Sequence, residues 1–297
     1  MYQDLRINIH DVGEGSCAGV ELPGGEFMLL DCGRHSQSGW SPSIAYAGRR
    51  VDLLVVQNLD EDHVRDLNEV LSHCSVKRFL SNPTVTAHDL KWMKDRRDGM
   101  GQGVRTAHWL LSNCGPGLYG GLLLESDAAI ICFWNHFSNI PMLPWQFADE
   151  NDLSVPVLIS WRGFKILFSG DITDIGWQPI LDNPVCYSLL KDVDILVAGH
   201  HGRDDGRSER LLSNCRPYAT IFSDGRIQYD TQQGMVDWYG RRTIGVVRSG
   251  RFAYEPPDRR KVFTTRRDGS ITISVDPRGK FGIVPARDER ALIGSAA

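Results

Sequence analysis

The stretch Asn58-Leu59-Asp60-Glu61-Asp62-His63 decides the fold of this chain. It follows an apolar run over residues 51–56, interrupted only by Asp52, that predicts a buried strand. The apolar spacing over residues 64–71 predicts a helix after it. Three carboxylates and an imidazole therefore lie on the turn that leaves a buried strand. Packed like charges make each other costlier to ionise, so the turn indicates a divalent cation, with a solvated acidic turn as the alternative.

The composition limits the class of protein. The chain has 297 residues, of which 41% are hydrophobic, which is enough for one large or two small domains. We expect a loosely ordered tail from about residue 285. With 33 basic and 37 acidic residues, no overall basicity indicates nucleic-acid binding, and a local patch would have to provide it. The seven cysteines form no CxxC pair, and no apolar run approaches the roughly 18 residues of a membrane span. We therefore expect no membrane span and a cytoplasmic location.

Several predicted strands end at residues whose side chains are of the types that bind metal ions. The strand over residues 26–30 ends at Asp31, for which support of a site and turn formation are equal alternatives. Four separate apolar strands deliver metal-type ligands at Asp60/Asp62/His63, at His136, at Asp171 and at His200/His201. One such coincidence carries little weight, whereas four in succession predict a metal site.

A run of basic residues follows the central motif, comprising Lys91, Lys94, Arg96 and Arg97. Such a run is usually a solvated helix face. The alternative is a surface on which a phosphate backbone lies.

The order of these motifs resembles the metallo-β-lactamase superfamily and, within it, the soluble hydrolase-like domain of the competence protein ComEC. The matching segments are residues 11–15, 30–33, 60–63, 151–154, 169–171, 200–202 and 264–272. The resemblance covers most of the chain, roughly residues 5–275, and implies a single domain over residues 1–297. It implies an α/β fold, an αββα sandwich of two mixed sheets flanked by helices, with a dinuclear metal centre at one edge of the sheets.

The resemblance also implies the roles of individual residues. The implied metal ligands are Asp60, Asp62, His63, His136, Asp171 and His200. Asp62, His63 and one of His200 and His201 would hold one ion, and Asp60 and His136 would hold the other. Asp171 would bridge both ions. His200 is preferred to His201 because it lies nearer the strand end, and His201 would be a further ligand or a general acid. Asp62 and His201 are the residues expected in catalysis.

Further residues are expected to support the site or contact substrate, namely Asn58, Asp31, Asn151, Ser154, Arg203 and Arg207. Some depart from the family pattern. Asn58 stands where the superfamily has a first histidine, and Arg65-Asp66 stands where a Gly-Gly pair usually follows. Arg203 and Arg207 lie in a segment where the family prefers small hydroxyl residues.

The predicted chemistry is hydrolysis. Two divalent ions that share a carboxylate activate a water molecule and neutralise charge on a phosphoryl or carbonyl oxygen. The resemblance implies two divalent metal ions, and the oxygen-rich ligand set is compatible with manganese or zinc, and also with magnesium. We expect a phosphodiesterase, specifically a nuclease, whose partner is nucleic acid or another phosphodiester. The alternatives are a hydrolase of small molecules (a cyclic nucleotide, a phosphoester or a lactone) and a degenerate member that binds or regulates without catalysis.

Overall fold

The computed structural model describes residues 4–115, 117, 127–138, 146–225, 231–248, 259–287 and 292–295. The strands are β1 (Leu5–Ile9), β2 (Ala18–Glu21), β3 (Phe27–Leu30), β4 (Arg50–Val51), β5 (Leu53–Val55), β6 (Ser75–Val76), β7 (Phe79–Leu80), β8 (Ala129–Cys132), β9 (His136–Phe137), β10 (Gln146–Phe147), β11 (Val157–Trp161), β12 (Phe164–Phe168), β13 (Ile195–Val197), β14 (Ala219–Phe222), β15 (Val246–Arg248), β16 (Arg259–Arg260), β17 (Val262–Thr264), β18 (Ile271–Val275), β19 (Lys280–Pro285) and β20 (Leu292–Ser295).

The helices are α1 (Pro42–Ala45), α2 (Glu61–Val64), α3 (Leu67–His73), α4 (Ala87–Lys94), α5 (Gln102–Cys114), α6 (Asp174–Asp182), α7 (Pro184–Leu189), α8 (Glu209–Cys215), α9 (Thr231–Arg242) and α10 (Thr265–Asp268), with a 3-10 turn at Gly199–Gly202. None of the described helices combines the length and the apolar character needed to cross a membrane.

Two mixed sheets form the centre of the fold. The larger has the strand order β16-β15-β20-β19-β18-β1-β2-β3-β5-β7, and the smaller has the order β17-β14-β13-β12-β11-β8. Both sheets contribute to one buried apolar cluster, in which Ile7 and Ile273 of the larger sheet join Ile166 and Ile221 of the smaller one. The two sheets therefore pack against each other through this shared core.

Alternating side chains explain why helices cover the outer faces. In β3, Met28 and Leu30 belong to the central core, whereas Leu29 packs into a second cluster with residues of α3, α4 and α5. In β12, Leu167 likewise packs into a third cluster with residues of α6, α8 and α9. Successive side chains of a strand point to opposite faces, so strands that are apolar on both faces need a cover on each. The predicted αββα sandwich of two mixed sheets flanked by helices is confirmed.

Parallel strands bring their carboxyl ends to one edge of each sheet. In the larger sheet β3 runs parallel to β5, and in the smaller sheet β12, β13 and β14 run parallel to one another. Asp31 follows β3 directly, the central motif follows β5, and Asp171 and His201 follow β12 and β13. The topology thus gathers these segments at one end of the sandwich.

The last described segment differs from the sequence expectation. Leu292–Ser295 forms β20, which pairs with β19 and β15 inside the larger sheet, instead of a loose tail. Residues 288–291 and 296–297 lie outside the described residues. The pairing depends on hydrogen bonds to distant strands, which the local sequence does not reveal.

Candidate metal centre

Four side chains converge at this end of the sandwich: Asp62, His63, Asp171 and His201. One ligand atom from each lies within 4.8 Å of all the others. Asp171 Oδ1 is 3.0 Å from His63 Nε2 and 3.4 Å from His201 Nε2. His201 Nε2 is also 3.2 Å from Asp62 Oδ2. The cluster has the size of one cation's coordination shell.

The start of α2 positions Asp62 and His63. Asp60 caps this helix, because its side chain accepts a hydrogen bond from the backbone N–H of Glu61. The turn after β1 packs closely on the same segment, and a Cβ atom at Gly15 would lie 2.3 Å from the carbonyl oxygen of Asp62. Gly15 also has a φ of +125°, which other residues rarely adopt, so glycine is required there on two grounds.

Asp31 fixes the orientation of His63. His63 Nδ1 lies 2.8 Å from Asp31 Oδ2, and the backbone N–H of Gln57 donates to Asp31 Oδ1 at 2.7 Å. Asp31 itself has a φ of 59°, in the left-handed region where aspartate and asparagine are tolerated best among residues with a Cβ. A carboxylate on Nδ1 holds the proton there, which leaves His63 Nε2 free as a ligand.

His201 is oriented in the same manner by a backbone carbonyl. Its Nδ1 donates to the carbonyl oxygen of Ser223 at 2.7 Å, so its Nε2 can face the cluster without a proton. His200 and His201 both have left-handed backbones, with φ of 47° and 56°. His200 points elsewhere, with Nδ1 2.8 Å from Asp205 Oδ1 and Nε2 2.9 Å from Arg203 Nη1. The structure therefore brings His201, and not the preferred His200, to the cluster.

The donor atoms fit a divalent cation. The Nε2 atoms of His63 and His201 are buried and have no hydrogen-bond partner among the described residues. These two nitrogens lie close to Asp171 Oδ1, but the angles of the contacts do not fit a hydrogen bond. Buried nitrogens without a partner are costly, and a cation at the centre of the cluster would satisfy both. Two imidazoles and two carboxylates suit zinc, manganese or another first-row ion.

The charges within the cluster also favour a bound cation. Burial alone would raise the pKa of Asp171, but the imidazoles of His201 and His63 hold it well below its ordinary value. Burial alone would lower the pKa of His201, whereas Asp171 and Asp62 raise it to about 10. The centre of the cluster therefore favours positive charge.

Asp60 lies outside the cluster and is neutralised by a buried lysine. Lys94 Nζ lies 2.7 Å from Asp60 Oδ1 and 2.9 Å from Glu150 Oε1, and Lys94 is 1% exposed. His136 lies on β9, and its side chain is exposed. The cluster thus contains neither of the residues expected to hold the other ion.

The basic run does not form the single surface that its sequence predicts. Leu90, Met93 and Lys94 are all buried along α4. Their spacing of three and four residues places them on one helix face, and this spacing was the available signal.

The remaining expected residues support the surrounding loops or pair with each other. Asn58 Nδ2 donates to Asn151 Oδ1 at 3.0 Å, which links the central motif to a distant loop. Ser154 Oγ accepts a hydrogen bond from the backbone N–H of Asp171 at 3.1 Å and so holds that ligand in place.

The two arginines expected near the substrate form ion pairs within the chain. Arg203 lies 2.6 Å from Glu14, and Arg207 lies 2.8 Å from Asp204.

The other cations of the basic run also have partners. Lys91 forms an ion pair with Asp95, and Arg97 forms one with Asp149. Arg96 lies 4.0 Å above the ring of Trp92. Together with Lys94, the run is largely neutralised by neighbours within the chain.

The fold and the site define a class: a metallo-β-lactamase fold with a histidine and aspartate cluster at the strand ends. No family model matches the chain. It is similar to ComE operon protein 3 of Bacillus subtilis strain 168, at 22% identity over 270 residues that cover 82% of this chain. The chain spans 31% of that protein's length.

Solved structures of similar fold include a β-hydroxylase and a metallo-β-lactamase fold protein. The CmlA β-hydroxylase E377D mutant matches with a TM-score of 0.51 and 13% identity, over 92% of this chain and 54% of that one. The metallo-β-lactamase fold protein YhfI from Bacillus subtilis matches with a TM-score of 0.47 and 10% identity, over 92% of this chain and 100% of that one. At these identities the likeness concerns the fold alone.

Proposed function

We propose that the protein is a metal-dependent hydrolase of phosphodiesters, and specifically a nuclease. The observation that carries the proposal is the buried cluster in which the unpartnered Nε2 atoms of His63 and His201 meet Asp62 and Asp171. The nuclease form draws support from the resemblance to the hydrolase-like domain of ComEC, together with the sequence similarity to ComE operon protein 3.

The chain's own residues would prepare the site for this chemistry. A bound divalent ion supplies Lewis-acid activation of water and of a phosphoryl oxygen at neutral pH. Asp31 and the Ser223 carbonyl orient the two imidazoles, and Ser154 holds the backbone of Asp171. Asp62 and His201, expected in catalysis, would serve as ligands of that ion. Such fixed positioning avoids reorganisation during the reaction.

The number of ions is a separate part of the proposal. The sequence predicts two, and among the described residues a single group fits an ion. Asp60 already has the buried ammonium of Lys94 as its partner. We therefore assign one ion to the cluster and keep two as the alternative that a metal count decides. The mixed nitrogen and oxygen ligands favour manganese or zinc over magnesium.

One observation favours a second candidate, a hydrolase of small molecules such as a cyclic nucleotide, a phosphoester or a lactone. A strand-binding surface needs cations free to meet phosphates. Lys91, Arg97, Arg203 and Arg207 instead have carboxylate partners within the chain.

The experiment is a substrate screen with purified protein and added Mn²⁺, Zn²⁺ or Mg²⁺. The substrates are bis(p-nitrophenyl) phosphate, single- and double-stranded DNA, RNA, a cyclic dinucleotide and a lactone. We expect cleavage of phosphodiesters, and its loss in Asp171→Asn, which keeps the size of the side chain. Cleavage of the lactone alone, or no cleavage of any phosphodiester by folded, metal-loaded protein, would reject the proposal.

A further inference from the structure

A cavity of about 320 Å³ lies beside the candidate metal centre. Its lining includes Arg65, Arg266, Arg287, His35, Asp11 and Glu14. None of the four candidate ligands lines the cavity, but residues close to them along the chain do. Arg65 follows His63 by two residues, and the lining residue Gly225 follows Ser223, whose carbonyl accepts the hydrogen bond of His201. A group bound in the cavity would therefore lie next to the reacting centre.

Among the described residues, Arg65 is the cavity-lining arginine that has no carboxylate partner. Arg287 lies 3.4 Å from Asp11, and Glu14 lies 2.6 Å from Arg203, so both lining carboxylates already have an arginine partner. Arg266 lies 3.3 Å from Asp224. The side chain of Arg65 is half-buried and has neither an ion pair nor a hydrogen bond with any residue in the described ranges. Its guanidinium is left available for an anion.

His35 adds a neutral donor to the same wall. Its Nδ1 accepts hydrogen bonds from the backbone N–H groups of Gln37 and Ser38, each at 3.0 Å. The proton of the neutral imidazole must therefore reside on Nε2. The Nε2 edge faces Gly13, since a Cβ atom at Gly13 would lie 3.8 Å from it. An N–H donor and a free guanidinium thus share one cavity.

We propose that this cavity binds a second phosphate of the substrate, adjacent to the phosphodiester at the metal centre, and that Arg65 is the residue that holds it. A guanidinium binds phosphate through two parallel hydrogen bonds and keeps its charge at any physiological pH. The proposal rests on the proposed phosphodiesterase function and narrows its substrate class. The preferred substrate carries at least two neighbouring phosphates, as a dinucleotide or a longer strand does and a lone phosphodiester does not.

The test compares the binding of thymidine 3′,5′-bisphosphate and thymidine 5′-monophosphate to metal-loaded protein by calorimetry. We expect the wild type to prefer the bisphosphate by at least about tenfold, as a charged hydrogen-bonded contact provides. Arg65→Gln should abolish the preference. The matched control is Arg210→Gln, which removes an arginine that pairs with Asp182 away from the cavity and should keep the preference. Equal binding of both compounds by the wild type, or an unchanged preference in Arg65→Gln, would overturn the proposal.

A second variant and a hydrolysis assay separate the failure of the second phosphate site from the failure of the proposed function. Should Arg65→Gln not fold, Arg65→Lys replaces it, because lysine keeps the charge without the two parallel bonds. Its preference should fall at least about threefold, and an unchanged preference overturns the proposal. Hydrolysis of bis(p-nitrophenyl) phosphate by the wild type tests the proposed function by itself. Hydrolysis without a bisphosphate preference rejects the second phosphate site alone, and a preference without hydrolysis rejects the phosphodiesterase function alone.

Discussion

His63 Nδ1 and Asp31 Oδ2 lie 2.8 Å apart, and both residues are completely buried. The residues come from two neighbouring parallel strands, since Asp31 follows β3 and His63 lies on the helix after β5. This pair holds one ligand of the candidate metal centre in a single orientation before any ion arrives.

We expect Asp31→Asn to lower metal affinity about 10- to 100-fold, as is usual when a carboxylate behind a ligating histidine is removed. Asparagine tolerates the left-handed backbone at this position, so the change removes charge without adding strain. Competition with a chelator measures the affinity. Asp52→Asn is the control, because Asp52 is a buried carboxylate that accepts a backbone N–H away from the cluster. Wild-type affinity in Asp31→Asn would reject this role.

Metal content should separate Asp171 from Asp60. We expect close to one ion per wild-type chain, loss of that ion in Asp171→Asn, and its retention in Asp60→Asn. The reason is that Asp171 contacts both imidazoles, whereas Asp60 contacts Lys94. Elemental analysis of dialysed protein provides the count. A wild-type content near two, reduced to one in Asp60→Asn, would show that Asp60 belongs to a second site.

Replacing Lys94 should destabilise the fold. Lys94→Met leaves Arg97, 3.3 Å away, as the remaining cation beside the buried carboxylate of Glu150. We therefore expect a loss of about 3 kcal/mol in the free energy of unfolding, the lower end for a broken buried ion pair. Urea denaturation in the presence of a chelator measures it, and Lys94→Met combined with Glu150→Gln should recover part of the loss. No loss in the single variant would contradict the structural role of the ammonium. A metal content that rises towards two in Lys94→Met would show that the ammonium takes the place of an ion.

Asp194 should make stability depend on pH. Burial raises the pKa of this carboxyl from 3.8 to about 6, although the backbone N–H of Lys165 donates to it. The folded state then holds the proton more tightly than the unfolded state, so the free energy of unfolding falls as pH rises from about 4 to above 6.

Asp194→Asn should therefore flatten this slope and stabilise the protein at pH 7.5 by at most about 3 kcal/mol, because each pKa unit corresponds to about 1.4 kcal/mol. Asparagine can still accept the backbone hydrogen bond. Urea denaturation at pH 4.5 and 7.5 provides the comparison. The control is Asp276→Asn, at the turn between β18 and β19, where the carboxylate accepts backbone N–H groups nearer the surface. An equal slope in wild type and Asp194→Asn would contradict the prediction.

The sequence predicted the fold because its signals are local. Each apolar run that precedes Asp31, the central motif, Asp171 and His201 forms a strand, and parallel pairing brings the ends of these strands together. The residues that meet there are therefore the ones directly after each apolar run. For the same reason, the sequence could predict that Asp62, His63 and Asp171 lie close together.

The choice between His200 and His201 could not be made in this way. Two consecutive left-handed residues turn the chain so that the second side chain, and not the first, faces the cluster. Strand periodicity contains no information about such a turn. The contact between Lys94 and Asp60 joins residues 34 positions apart, and Glu150 lies 56 positions from Lys94. Those partners depend on the packing of α4, which local patterns do not specify.

The pairing of β1 with β18 has a consequence for the order of folding. Leu5 pairs with Val275 and Ile9 with Ile271, so β1 lies between β2 and a strand synthesised more than 250 residues later. While the ribosome is still making the intervening chain, one edge of β1 has no partner and can pair with another strand. Contacts of such long sequence separation also slow folding. All four candidate metal ligands are synthesised before the larger sheet can close, and a nascent chain that stops short of residue 271 would expose its first strand to aggregation.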